Sequence, residues 1–459
     1  MLPAEITTSA FTIKRVESCR DLFPLHSKNR ERYPFLLESV AHGTQQASFD
    51  ILFAYPQQRL ELRNLQTLWS DALEIANHDF LSHLDKWWLD NKQTTVDTEL
   101  PFTGGWFLYL GYELAQQVEP RLNLKYNNES LPVAMAIRIP AAIIRSHKEN
   151  CIYLIAESGY ESYLDVLQQD VQNIPSDDQD SMAINASIEE EQEQCYLSAV
   201  ERAKQYITDG DIFQANLSRV WKGTLGSKNH DALYKNLRTH NPAPFSGIMS
   251  YNNTSVISSS PERLVSVKNN QVQTRPIAGT RPRSNTSKMD NALSDELMQH
   301  PKERAEHIML IDLERNDLGR VCQTGSIEVN ELMVLESYAH VHHIVSNVQG
   351  LLKNNVMPGE VIRAVFPGGT ITGCPKVRCM EIINELEQVE RGAYTGSMGY
   401  LNRDGSLDLN ILIRTIVCEE NKITLRAGAG IVADSIPDKE LAETRAKARG
   451  MLMALGIEK

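Results

Sequence analysis

The sequence lacks the features of several large functional classes. Its seven cysteines are odd in number and scattered, and no two are spaced C-x-x-C. Cys374 and Cys379 are the closest pair, and no histidine cluster accompanies them. That pattern argues against a disulfide framework or a zinc cage and for reduced thiols. Basic residues are also short: 46 Lys and Arg stand against 59 Asp and Glu, a net charge of −13. Nucleic-acid binding needs clustered cations, so that partner is not expected. An anionic substrate would need a metal or local cations to override this field. No apolar run approaches the roughly 18 residues of a membrane span. Met1–Ile6 carries neither the basic segment nor the apolar run of a signal peptide, so a cytoplasmic protein is expected. Neither G-x-G-x-x-G nor G-x-x-x-x-G-K-[ST] occurs, which removes the usual dinucleotide and phosphate loops.

What is present is globular: 42% hydrophobic and 23% charged residues over 459 positions, enough for a large core. Residues 1–172 form an N-terminal region with strand-like runs at Phe49–Tyr55 and Ala141–Arg145. Residues 173–194 are acidic, polar and free of aromatics, and read as an exposed linker. Residues 195–459 mix helices and hairpins without a regular βαβ rhythm, which predicts an α+β fold. Helices are expected at Tyr196–Thr208, Glu296–Asp312, Pro358–Phe366 and Asp438–Leu455, the last with Asp438 as N-cap and Gly456 as stop. Strands are expected at Ser326–Leu335 and His343–Leu351. A hairpin is expected from Leu409–Glu419 and Lys422–Ala427 through Glu420-Asn421.

Several stretches carry chemistry. Glu440 and Glu443 are three apart and share one helix face. They form either a solvated acidic face or one side of a Mg²⁺ site completed by Glu306 on a separate helix. Gly428-Ala429-Gly430 brings backbone N–H groups close to an anion, or marks a tight strand corner. Lys376, after Pro375, reads as a solvated loop charge or a helix-end charge. Strand alternation turns one of His342 and His343 inward, as a core residue or a proton donor. Arg414, inside the apolar run Leu412–Ile416, needs a partner: an internal carboxylate or a substrate one.

These motifs together, Glu306–Arg320, Phe366–Lys376, Ala427–Ser435 and Glu440–Thr444, resemble the chorismate-utilising enzymes from about Tyr196 to the C-terminus. The resemblance implies two large, mostly antiparallel sheets packed face to face with helices outside. It also implies Glu306 and Glu443 as Mg²⁺ ligands with Glu440 beside them. Tyr394, Arg414 and the backbone of Gly428, Ala429 and Gly430 become the chorismate-binding set, with Gly279, Thr280 and Thr370 lining the pocket. His343 matches the active-site histidine. Glu262, in Ser260–Arg263, matches the general acid; its alternative is an ion pair with Arg263.

Two positions narrow the branch. Water-adding members carry a lysine base where this chain has Gln214, and a neutral amide cannot deprotonate water. Ammonia needs no such base. At Ala278, in Pro276–Thr280, the best-known aminodeoxychorismate synthases have a nucleophilic lysine and anthranilate synthases have alanine. The covalent route is therefore closed, but direct amination is not. Pro101–Phe107 and Gly111–Glu113 resemble the aminodeoxychorismate branch. The sequence contains no G-x-C-x-G glutaminase elbow, so ammonia would come from a separate glutamine amidotransferase subunit or from solution. Leu36–Ser39 resembles a tryptophan-holding segment, and Ser39 with Pro244, Phe245 and Ser246 is the candidate pocket. The resemblance thus implies component I of aminodeoxychorismate synthase, with anthranilate synthase component I as the alternative. A catalytically silent chorismate- or tryptophan-binding subunit is a third reading.

Overall fold

Runs of β-branched and aromatic residues set the two layers of this molecule, because such side chains pack well on a pleated surface. The computed structural model describes residues 5–457, apart from 41–47, 72, 76–77, 96, 127–129, 176–183, 227–228, 285 and 338–340. Two large antiparallel sheets result, with helices on their outer faces. The first sheet runs from Glu5–Thr7 through Phe49–Ala54 and Phe35–Glu38, then through Phe245–Tyr251 and Gln214–Leu225 to Ala186–Glu190. The second runs from Ile277–Pro282 and Val341–Leu351 through Ser397–Asn402, then through Gly105–Leu110 to Leu73–Ile75.

The region before residue 172 therefore supplies part of both sheets. Phe35–Glu38 pairs with Phe245–Tyr251, and Gly105–Leu110 pairs with Ser397–Asn402. Between the sheets, Phe35 stacks on Phe107 at a centroid distance of 4.0 Å, and Phe53 meets Phe102 edge-on at 5.0 Å. All four rings are almost wholly buried. Offset and edge-on contacts of this kind add to the burial of the rings themselves. Outside, Phe80–Asn91 and Pro358–Val365 cover the second sheet, and His230–His240 and Pro437–Ala454 cover the first. No described helix is long and apolar enough to cross a membrane.

Several expected elements shift. The acidic segment 173–194 is not only a connection: Ala186–Glu190 is an edge strand paired with Trp221–Leu225, and Glu190 forms an ion pair with Arg219. Its polar residues suit a strand with one free edge. Residues 176–183 of that segment lie outside the described ones. The helix expected at Glu296–Asp312 is two helices, Ser287–Gln299 and Pro301–Gly319. Pro301 lacks the N–H needed to continue the first and disfavours a helical His300. The last helix starts at Pro437 with Ile436 at the N-cap, so Asp438 sits in the first turn and is not the cap. The hairpin through Glu420-Asn421 exists, but only Thr415–Glu419 forms its first arm. Leu407–Asn410 belongs to the other sheet, and residues 411–414 carry the chain across.

Candidate active site

That crossing places Arg414 in a left-handed conformation, φ 54°. A non-glycine residue held there is strained by about 1–3 kcal/mol, as ligand-clamping residues often are. Its guanidinium has one described hydrogen bond, a long one of 3.4 Å to Asn241 Oδ1. No carboxylate pairs with it among the described residues. Burial pulls its pKa down, with Tyr394 opposing. A cation that has lost water and gained no anion is a seat for a substrate carboxylate. The internal ion pair open from sequence is absent.

Glu262 sits just before the strand Arg263–Lys268 and is 5% exposed. Burial raises its pKa to about 7, although the Thr370 hydroxyl donates to Oε1 at 2.8 Å and the Ile277 N–H and nearby Lys447 favour the charged form. A carboxyl poised there gives up or takes a proton at neutral pH. Arg263 does not pair with it; Arg263 grips Asp408 at 2.8 and 2.9 Å and lies over the Phe245 ring. Ala278 follows Ile277 directly, so the site of the family's lysine lies one residue from the group that touches this acid.

The strand Ile277–Pro282 bulges between Ala278 and Thr280. Gly279 takes φ 71° there, and a Cβ would stand 2.8 Å from Leu297 Cδ1. Thr280 pairs through its backbone with His343; its side chain lies outside the described atoms. His343 Nδ1 faces the Gly279 carbonyl at 3.4 Å. Burial lowers its pKa to about 4, so the imidazole is neutral near pH 7. Both neighbouring histidines are buried, contrary to simple alternation: His342 lies between Ser337 Oγ, 2.7 Å, and Asp290, 3.0 Å. The helix Ser287–Gln299 covers what would have been the solvent face.

From the other sheet, Gly428 and Gly430 face Tyr394, Asn216 and Gln214, whereas Ala429 packs into the helix layer against Tyr196 and Val200. At Gly428 a Cβ would lie 2.7 Å from the Tyr394 hydroxyl, so only glycine lets the backbone come so close. Burial holds the Tyr394 phenol up at about 12. Beneath it, Arg391 and Arg426 share Glu387 at 2.7 Å each. Burial works against the charged Glu387, but the two guanidiniums keep its pKa below the usual range. Glu113 caps the turn that presents Arg391, accepting the Arg391 N–H at 2.9 Å and the Gly392 N–H at 3.2 Å. The Gly111–Glu113 motif, a short helical turn after the strand Gly105–Leu110, thus supports the site from below.

Sequence reasoning missed Lys447. Its ammonium meets the Gly428 carbonyl at 3.0 Å and Glu443 at 2.8 Å, and its charge reaches Glu262 and His343. Its spacing of four from Glu443 on the last helix was the available signal. Arg426 carried none, since it reaches Glu387 from a separate strand; Glu387 and Arg391 are four apart, but nothing in the sequence tied that pair to the site. Lys376 is not a solvated charge: it pairs with Asp317 and donates to the Val365 carbonyl at 3.1 Å. Arg414, Lys447 and the surplus cation of the Arg391–Glu387–Arg426 group are the local positive charges that a net −13 made necessary.

Glu440 and Glu443 do share a face of the last helix, and both raise the pKa of Tyr196 beneath them after burial has done so. Glu306 lies on Pro301–Gly319. Among the described residues no three His, Cys, Asp or Glu side chains converge closely enough to hold a metal by themselves. The donor set of oxygen-only carboxylates on two helices nonetheless suits a hard cation that takes further oxygens from a substrate.

Ser39, Pro244, Phe245 and Ser246 come together at one end of a cleft of about 870 Å³ between the sheets. The Ser39 hydroxyl donates to the Pro244 carbonyl at 3.1 Å and the Ser246 hydroxyl to Ala243 at 3.1 Å.

A carboxylic acid poised near neutrality beside a glycine-opened strand, with a buried arginine that has no carboxylate partner among the described residues, suits the seating of an anion next to a proton donor. The chain belongs to the family of chorismate-binding enzymes, whose model matches residues 33–453. It is 44% identical over 368 residues to an anthranilate synthase component I-like protein of Synechocystis sp., covering 80% of this chain and 75% of the relative. It is 40% identical over 381 residues to aminodeoxychorismate synthase component 1 of Bacillus subtilis, covering 81% of each. Its fold matches anthranilate synthase component I from Streptococcus pneumoniae with a TM-score of 0.79 at 32% identity, covering 89% of this chain and 93% of that one.

Proposed function

We propose that this chain is component I of an aminodeoxychorismate synthase, converting chorismate and ammonia to 4-amino-4-deoxychorismate on the route to 4-aminobenzoate and folate. The observation that carries amination over hydration is Gln214, a buried neutral amide where water-adding relatives hold a lysine. The 40% identity to the Bacillus subtilis enzyme and the Gly111–Glu113 motif support the product. In this reading Arg414 and Tyr394 hold one carboxylate of chorismate. Glu306 and Glu443, with Glu440 beside them, would hold Mg²⁺, whose charge would neutralise the second carboxylate. The ammonia lone pair forms the C–N bond at C4, and the electron pair of the C4–O bond leaves with the oxygen. That oxygen takes the Glu262 proton and leaves as water. The new C–NH₃⁺ group then returns one proton to the Glu262 carboxylate. Ala278 offers no nucleophile, so no covalent adduct intervenes.

Ala278 and the 44% relative favour a second reading, anthranilate synthase component I, in which amination is followed by loss of pyruvate. The chain has no glutaminase motif of its own, so an amidotransferase partner would feed either reaction. Tryptophan is the proposed occupant of the cleft at Ser39 and Phe245.

One assay separates the products. The chain is incubated with chorismate, Mg²⁺ and ammonium, and the products are resolved by mass. Aminodeoxychorismate, converted to 4-aminobenzoate by added lyase, is expected, and omission of Mg²⁺ with chelator present abolishes it. Anthranilate with pyruvate would replace this reading by the second.

A further inference from the structure

The described hydrogen bond of the Arg414 guanidinium closes a ring. Arg414 Nη1 donates to Asn241 Oδ1 at 3.4 Å, Asn241 Nδ2 donates to the Ser259 carbonyl at 3.2 Å, and the Ser259 N–H donates to the Arg414 carbonyl at 3.1 Å. The side chain of Arg414 is thus tied back to its own backbone through two residues. Ser259 is 1% exposed, and its hydroxyl also donates to the Asn241 carbonyl. Asn241 ends the helix His230–His240, where its N–H donates to the Leu237 carbonyl at 2.9 Å. From the last helix, Gly450 makes room for the amide: a Cβ there would stand 3.0 Å from Asn241 Oδ1.

A long arginine side chain has many rotamers, and ordering it on binding weakens affinity. An arginine ordered beforehand avoids that loss. The chemistry of the holder matters as much. A carboxylate would hold the guanidinium more strongly and neutralise it. A neutral amide oxygen holds it and leaves its charge for a ligand. The amide also fits at both ends: its Nδ2 meets a carbonyl, where a carboxylate oxygen would face another oxygen.

We infer that Asn241 is the positioning residue of the anion seat: its neutral amide orients the Arg414 guanidinium for a substrate carboxylate without neutralising it. This rests on the reading in which Arg414 seats chorismate, and it holds for either product. Asn241 acts through Arg414.

The test measures the chorismate KM at saturating ammonium and the ammonia KM at saturating chorismate, in the Mg²⁺-loaded protein. Asn241→Ala frees the guanidinium, so the chorismate KM should rise about tenfold, the loss of one hydrogen bond, while the ammonia KM stays within about twofold. Asn241→Asp should raise the chorismate KM further, to about the thirtyfold of Arg414→Ala, because it pairs the cation. In an Arg414→Ala background, adding Asn241→Ala should change the chorismate KM by less than about twofold. A merely structural role would give the reverse order, with Asp, closer in shape, milder than Ala, and its effect would persist without the arginine. If Asn241→Ala fails to fold, Asn241→Ser, too short to make both bonds, takes its place. An unchanged chorismate KM in that variant, an Asp variant milder than it, or an effect undiminished in the Arg414→Ala background would overturn the inference and leave the seat standing. An unchanged chorismate KM in Arg414→Ala alone would overturn the seat itself, and the part of Asn241 with it.

Discussion

Where the first-region strands face each other, the two sheets meet through Phe35, Phe53, Phe102 and Phe107. Where the later strands face each other, the same two sheets hold Glu262, His343, Arg414, Gln214 and Tyr394. The architecture is shared and the filling is opposite. An aromatic filling gains free energy with every ring it hides and fixes the spacing of the sheets. A polar filling costs free energy, and the cost appears as displaced pKa values: Glu262 up to about 7 and His343 down to about 4. The aromatic half, joined to the polar half strand by strand at Phe35–Glu38 and Gly105–Leu110, holds that interior in place.

Mutations should separate the two halves, beginning with the largest effect. Glu262→Gln removes the proton donor and leaves the shape: kcat for amination falls by about 10²–10⁴, with the melting temperature unchanged or raised. Loss of stability instead would place Glu262 among the structural residues. Arg414→Ala deletes the unpaired cation and should cost about 2 kcal/mol or more of chorismate binding, a KM increase of about thirtyfold or more. An unchanged KM would make Arg414 a sheet-crossing residue only. Phe107→Ala, by contrast, opens a cavity in the aromatic half and should cost about 3–5 kcal/mol of folding stability in denaturant unfolding. Its KM values, measured well below the melting temperature, should stay within about threefold. A large KM change there would mean the halves are not separable.

Much of this was legible in the chain. Contiguous motifs announced Glu262, His343, Gly428–Gly430 and the Glu440–Glu443 face, because each lies on one element and its neighbours in sequence are its neighbours in space. What could not be read depended on contacts between distant segments. Arg414 looked like a strand residue because Leu412, Ile413 and Ile416 surround it with apolar side chains; it is the point where the chain changes sheets. Glu387 lies between Arg391, a helical spacing away, and Arg426, which arrives from another strand. The Pro301 break was visible in the sequence, and the apolar periodicity on both sides hid it. The acidic segment read as linker because its strand, Ala186–Glu190, is a polar edge strand with no alternation strong enough to declare itself.

Burial between the polar strands raises the Glu262 carboxyl to about 7 and suits it to donate a proton. The pH dependence of kcat/KM for chorismate, at an ammonium concentration adjusted to constant free ammonia, tests it most directly. An acid works only while protonated, so raising the pH through its pKa removes activity. The rate should fall with a midpoint near 7, and Glu262→Gln should lose the fall along with most of its activity. A rate flat from about pH 6 to 9, or a fall that survives in Glu262→Gln, would contradict the account.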